Sequence, residues 1–245
     1  MVKRERVNEI GAQLGALDSQ ETAEFNRGIK RFLEDTRTLD TEATLEKLLS
    51  YKQEIQTAVE VAKDELQGSF DGQFPASNNF GMSRIDPGYF GYDDWDDAPT
   101  FTGGSASDWI DNDTPTNMSG GSSGFSNPLR VGDPAVHLVL GIGSYAEDPV
   151  TSRVKWEKNG DPYAAVQTED EFRNTDVRMK WLDTPVILQP QDEFAARVFA
   201  GGEVSSSYED APYLWGLSFV ESKKLRLLDR ADMAGTSEND VVEQV

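Results

Sequence analysis

At 245 residues the chain is long enough to bury a core as one large or two small domains. It carries 44 acidic and 23 basic residues, a formal charge of −21, with one histidine and no cysteine. Disulfides, thiolate metal sites and histidine-cluster metal sites are thereby excluded, and a surface this acidic repels phosphate backbones and anionic lipid, which argues against nucleic-acid binding.

The acid is not confined to a tail. Its excess over base is 4 charges in residues 1–66, 7 in 67–132, 6 in 133–230 and 4 in 231–245. Acid in every segment, with arginine outnumbering lysine, fits a protein working in molar salt, where screening falls to roughly 3 Å. MVKRERVNEIGAQLGAL starts basic but lacks the apolar stretch of a signal peptide. No apolar run approaches the length of a membrane span, so neither membrane insertion nor secretion is expected.

Residues 1–68 read as a helical segment. Val7, Ile10, Leu14 and Leu17 recur at three- and four-residue steps. Asp18-Ser19-Gln20-Glu21 matches a capping box, and Phe25, Ile29, Phe32 and Leu33 face one side of a second helix. Asp40 or Thr41 caps a third helix, whose apolar positions Leu45, Leu48, Ile55, Val59, Ala62 and Leu66 come close to a coiled-coil seam, with Lys52 interrupting. Gly68 suits its stop. The stripes are narrow and the helices few, which points to an assembly element: Leu45, Leu48, Ile55 and Val59 are expected at a contact with neighbouring subunits. The alternative is a small autonomous bundle.

Residues 69–132 show neither helical nor strand periodicity and are dominated by Gly, Ser, Asp, Asn and Pro. A structureless loop of that length inside a compact domain is improbable, so the segment reads as an extended arm or linker. Disordered segments are poor in aromatics, yet Phe90, Tyr92, Trp95, Phe101 and Trp109 punctuate this one. Rings on an extended backbone suit a strap, each ring entering a pocket on a neighbour while the polar residues between stay wet.

Residues 133–230 change period. AVHLVLGI (135–142), TSRVKWEK (151–158), DPYAAVQ (161–167), DVRMKW (176–181), TPVILQ (184–189), EFAARVFA (193–200), PYLWGLSFV (212–220) and KKLRLLD (223–229) read as strands. Lys158-Asn159-Gly160-Asp161 is a type I′ hairpin signal, because both central residues need positive φ, and Pro162 directly after it suggests an edge strand. Strands at this spacing without helices between them argue for an antiparallel sandwich or jelly roll. The expected fold is α+β: N-terminal helices, a long irregular arm, a C-terminal antiparallel β-sandwich, jelly-roll-like, and an acidic tail over 231–245.

Chemistry is sparse. Gly141, Gly143 and Ala146 in GIGSYA match G-x-G-x-x-A, but that fingerprint binds a dinucleotide only when a helix follows; Glu147-Asp148-Pro149 follow, and the glycines read as serving a turn. His137 lies mid-strand with no nucleophile-elbow pattern and reads as a satisfied or surface histidine. Asp108, Asp111 and Asp113 in DWIDNDTPTN offer oxygens that suit Ca²⁺, but the run lacks the glycine and terminal glutamate of an EF-hand loop and reads as a solvated loop. No catalytic residue and no cofactor is assigned. Trp95 and Trp109 keep open a sugar-stacking role.

The run DTPVILQPQDEFAARVFA (183–200) is strand, turn and returning strand. With the helical N-terminal segment, the aromatic-studded arm and no signal peptide, it resembles the β-sandwich or jelly-roll components of phage and virus capsids, vertices and tails. Together with the acidic composition, the chain is similar to a structural protein of a haloarchaeal virus. That resemblance carries over no functional residue. It implies a virion location with assembly in the host cytoplasm, partners that are copies of itself and other virion proteins, and arms exchanged between symmetric copies. A surface- or glycan-binding β-sandwich module of a haloarchaeon is the alternative, and a β-sandwich hydrolase, for which no motif speaks, comes last.

Overall fold

The computed structural model describes residues 41–68, 80–85, 106–110, 129–130, 135–144, 151–168, 172, 179–200 and 212–221. The first two expected helices, the strand over 223–229 and the tail lie outside them.

The expected third helix is two. Helix α1 spans Thr41–Ser50 and α2 spans Lys52–Gly68, with Tyr51 between. The Tyr51 amide turns back to the Leu48 carbonyl at 3.1 Å, and the Tyr51 carbonyl accepts from the Ile55 amide at 2.9 Å. Tyr51 itself is buried, and its hydroxyl donates to the Leu182 carbonyl on a neighbouring strand. The turn at Tyr51 therefore anchors the helix pair to the sheet beneath it.

Among the described residues nine strands follow: β1 Phe80–Arg84, β2 Ala106–Ile110, β3 Leu129–Arg130, β4 Ala135–Ser144, β5 Thr151–Lys158, β6 Asp161–Gln167, β7 Met179–Leu188, β8 Glu193–Ala200 and β9 Pro212–Glu221. They form two antiparallel sheets. Sheet I runs β1-β9-β4-β7, and sheet II runs β2-β8-β5-β6, with β3 also on β8. Pairing is nested along the chain: β5 with β6, β4 with β7, β2 with β8 and β1 with β9.

Alternation along the strands produces two cores. In β4, Val136, Leu138 and Leu140 face the helices, where they meet Leu45, Leu48, Tyr51, Ile55, Ala58, Val59 and Ala62, with Leu217 and Phe219 of β9 completing the layer. Val139 and Ile142 face the other way, into a core shared with Val154 and Trp156 of β5 and Phe194, Ala196 and Val198 of β8. Trp156 meets Phe194 edge-on, ring centroids 5.6 Å apart. Sheet I is thus apolar on both faces, which is why every residue of β4 is buried.

Four expectations are corrected. Leu45, Leu48, Ile55 and Val59 are 0–4 % exposed within the chain's own helix–sheet core, so their stripe is used internally and is not a subunit contact. The segment 69–132 is not irregular throughout: β1 forms one edge of sheet I, and β2 and β3 lie along one edge of sheet II. Deleting 69–132 would therefore remove β1 from sheet I, β2 and β3 from sheet II, and the buried Ile85. DVRMKW and TPVILQ contribute to one strand, β7; the ladder steps from Gly141↔Trp181 to Val139↔Val186, so Leu182–Pro185 bulge. Pro185 is tolerated there because a bulge needs no ladder donor. Gly141 and Gly143 lie inside β4 rather than at a turn: a side chain on Gly143 would overlap the Tyr213 ring, and one on Gly141 would press the Lys180 carbonyl at 2.7 Å.

The hairpin reading holds. Asn159 and Gly160 have φ of 54° and 79°, and β6, with Pro162, is an edge strand.

Candidate functional site

Of the residues expected to make contacts or bind a cation, Phe90, Tyr92, Trp95, Phe101, Asp111 and Asp113 lie outside the described residues. Asp108 and Trp109 sit in β2, at an edge of sheet II, where the ladder steps irregularly between Asp108 and Ile110. Asp108 holds the register position opposite Arg197. Among the described residues, no three His, Asp or Glu side chains are grouped to hold a metal ion.

Three polar places are built into the described fold. The first is His137, fully buried on β4 and opposite Ser218 of β9 in register. Its Nδ1 and the Ser218 Oγ are hydrogen bonded at 2.8 Å. Burial pushes the imidazole pKa down to about 3, so it is neutral at physiological pH. The pair faces the apolar interior between the sheets, where it fixes β4 against β9. Fully buried and bonded to Ser218, it reads as structural.

The second place is where the β5–β6 and β7–β8 turns meet. Asp192 Oδ2 accepts from the Gln189 amide at 2.7 Å and pairs with Lys158 Nζ at 2.8 Å, while its Oδ1 accepts from Asn159 Nδ2 at 2.8 Å. The Asn159 amide donates to the Glu193 carbonyl at 2.7 Å, and the Glu193 amide donates back to Asn159 Oδ1 at 2.8 Å. Lys158 also donates to the Ile187 carbonyl at 2.7 Å. Burial alone would raise the Asp192 pKa; the donors from Lys158, the Gln189 amide and Asn159 outweigh it and hold the carboxyl below the ordinary aspartate range. These bonds tie the two turns to each other and, through Lys158, to the end of β7.

The third is the outer face of sheet II. With Val154 and Trp156 of β5 and Ala196 and Val198 of β8 turned inward, Arg153, Lys155, Arg197 and Phe199 share the opposite face. Lys155 lies directly opposite Arg197, and Arg153 directly opposite Phe199. The Arg153 guanidinium stands 4.2 Å from the Phe199 ring centroid, and Lys155 Nζ lies 5.3 Å from the same centroid. The buried Arg153 Nε has no hydrogen-bond acceptor among the described residues. Of the three cations Lys155 is exposed, Arg153 is half-buried and Arg197 is buried. Reading the sequence in isolated strands passes over this face, although the alternation R-V-K in β5 and R-V-F in β8 holds the signal once the two strands are placed in register.

No protein-family model, no curated protein and no solved structure matches the chain.

Proposed function

We propose that the chain is a non-enzymatic structural component of a virus particle from a halophilic host, built on a jelly-roll sandwich and assembling with copies of itself and with other virion proteins. It would be made in the host cytoplasm and reside in the virion as capsid, decoration, vertex or tail protein. The observation that carries this reading is the nested strand pairing. Eight strands pair from the ends of the chain inward, first with last, and split between two sheets in the orders β1-β9-β4-β7 and β2-β8-β5-β6. A long hairpin wrapped into two facing sheets produces that order, and double-sheet jelly rolls of this kind recur in viral capsid and lectin domains. The shared apolar core between the sheets supports the same reading.

Fold alone does not assign function. The capsid reading is favoured over the lectin reading by the global acidity and by the 69–132 segment, which reaches the edges of both sheets yet leaves long aromatic-rich stretches between its strands. Such stretches can bury area on neighbours without adding a globular domain. Negative-stain microscopy of the purified chain in molar KCl tests the assignment. Uniform symmetric particles are expected. A monodisperse small protein that binds immobilised glycans would transfer the assignment to a glycan-recognition module.

A further inference from the structure

We infer that Asn159-Gly160 is a site of spontaneous covalent modification, deamidation through a succinimide, which the hydrogen bonds from the β7–β8 turn hold in check. Asparagine is a chemically labile side chain, and only here does the chain place glycine directly after it. Glycine carries no side chain to keep its own amide nitrogen away from the preceding asparagine. Asn159 and Gly160 are both exposed, and nothing lies within 4 Å of the place a Gly160 Cβ would take. Water and hydroxide therefore reach the turn. The Asn159 side chain is nevertheless held at both polar atoms. Its Nδ2 donates to Asp192 Oδ1 at 2.8 Å, and its Oδ1 accepts from the Glu193 amide at 2.8 Å. Against the burial that opposes it, Lys158, the Gln189 amide and Asn159 itself keep the Asp192 carboxyl ionised at neutral pH, so the acceptor on Asn159 is a charged one.

In the reaction, hydroxide takes the Gly160 amide proton and the amide nitrogen forms a bond to Asn159 Cγ. The Cγ–Nδ2 bond breaks, and Nδ2 takes a proton from water and leaves as ammonia. A second water opens the succinimide at either carbonyl, giving aspartate or isoaspartate. The sum is one side-chain amide and one water giving one carboxylate and ammonium, with nothing oxidised or reduced. The nitrogen attacks only from a near-attack arrangement. To present Cγ to it, the Asn159 side chain must turn away from Asp192 and Glu193, which breaks both of its hydrogen bonds. The product does not restore them. An oxygen in the place of Nδ2 sets a second carboxylate beside Asp192, and isoaspartate adds a backbone methylene to a two-residue turn whose φ angles are 54° and 79°. Modification thus releases the β5–β6 turn from the β7–β8 turn irreversibly.

The test incubates the full-length chain at mildly alkaline pH in molar KCl, folded and in parallel unfolded in urea, and follows conversion at position 159 by peptide mass spectrometry. In urea, position 159 is expected to convert faster than every other asparagine. In the folded chain it is expected to convert about tenfold or more slowly than in urea, the factor that one charge-assisted hydrogen bond corresponds to. Asp192→Ala should raise the folded rate by about the same factor, whereas Asp192→Asn, which keeps an acceptor oxygen for Nδ2, should stay near the parent. Ile55→Ala, which weakens the helix–sheet core, should also stay near the parent, and so separates release of this side chain from general unfolding. Circular dichroism at the incubation temperature checks that each variant is folded, and the parent's own ratio of folded to urea rates needs no variant. Equal rates in the fold and in urea overturn the proposal. So does a folded Asp192→Ala chain at the parent rate, or an acceleration that Ile55→Ala or Asp192→Asn reproduces.

Discussion

Truncating Ile55 to alanine tests whether the helix stripe belongs to the chain's own core. Ile55 is fully buried, in a layer with Leu48, Val59 and the helix-facing residues of β4 and β9. Ile55→Ala removes three carbons from a closed site, and such changes cost about 2–5 kcal/mol once the residual cavity is counted. For a chain of this size about 3 kcal/mol lowers the Tm by roughly 6–12 °C. Because the partners are in the same chain, the loss is independent of protein concentration; at a subunit contact it would shrink as concentration rises. The assay is thermal and urea unfolding in molar KCl at two concentrations a hundredfold apart, with Glu60→Ala, on the exposed side of α2, as a reference expected within about 0.5 kcal/mol of the parent. A loss under about 1 kcal/mol, or one that disappears at high concentration, would refute the intrachain assignment and return Ile55 to an interface.

Four further outcomes are expected. Tyr51→Phe should cost about 1–2 kcal/mol at neutral pH by orphaning the Leu182 carbonyl. Burial, then Asp183 and Glu54, raise the Tyr51 pKa to about 12; the unfolded phenol ionises near 10, so stability contributed by Tyr51 falls as pH rises above about 10, and the variant should flatten that limb in urea titrations. His137 works on the acid side: the folded imidazole stays neutral down to about pH 3, the unfolded one takes its proton near 6.5, and stability should fall by about 1.4 kcal/mol per pH unit below 6.5. His137→Gln should reduce the pH slope there by one proton, and an unchanged slope would contradict the assignment. Asp192→Ala should cost about 1–3 kcal/mol at pH 7; because its folded pKa is lowered, that contribution is present above the ordinary carboxylate range and is lost as pH falls through the folded value, so parent and variant should converge in acid unfolding curves. Melting in rising KCl should show a marked gain in Tm from dilute buffer to molar salt, and a flat profile would remove the halophilic assignment.

Much of the sheet framework could be read directly. The hairpin at Asn159-Gly160 was legible because a two-residue turn with both φ positive leaves few residue choices. The strands at 151–158 and 193–200 match their expected limits because each packs alternate residues into a single apolar core, and 161–167 matches because the hairpin turn fixes its start. β1, β2 and β3 were not legible: FGMSR, ASDWI and LR are short edge strands whose backbone pairing is completed by β9 and β8, and their own residues alternate weakly. The break at Tyr51 depends on a hydroxyl reaching a carbonyl 131 positions away, which no local pattern encodes. The stripe Leu45–Val59 was visible as apolar, but periodicity specifies that a face is buried without specifying against what; the apolar outer face of sheet I supplies the answer. The cationic face of sheet II likewise exists only once β5 and β8 are paired.

Static light scattering on the full chain in molar KCl, across a wide concentration range, tests self-assembly most directly. The account predicts a mass that settles at a fixed multiple, two or more, of the 27.1 kDa chain. A mass of 27.1 kDa at every concentration would contradict it.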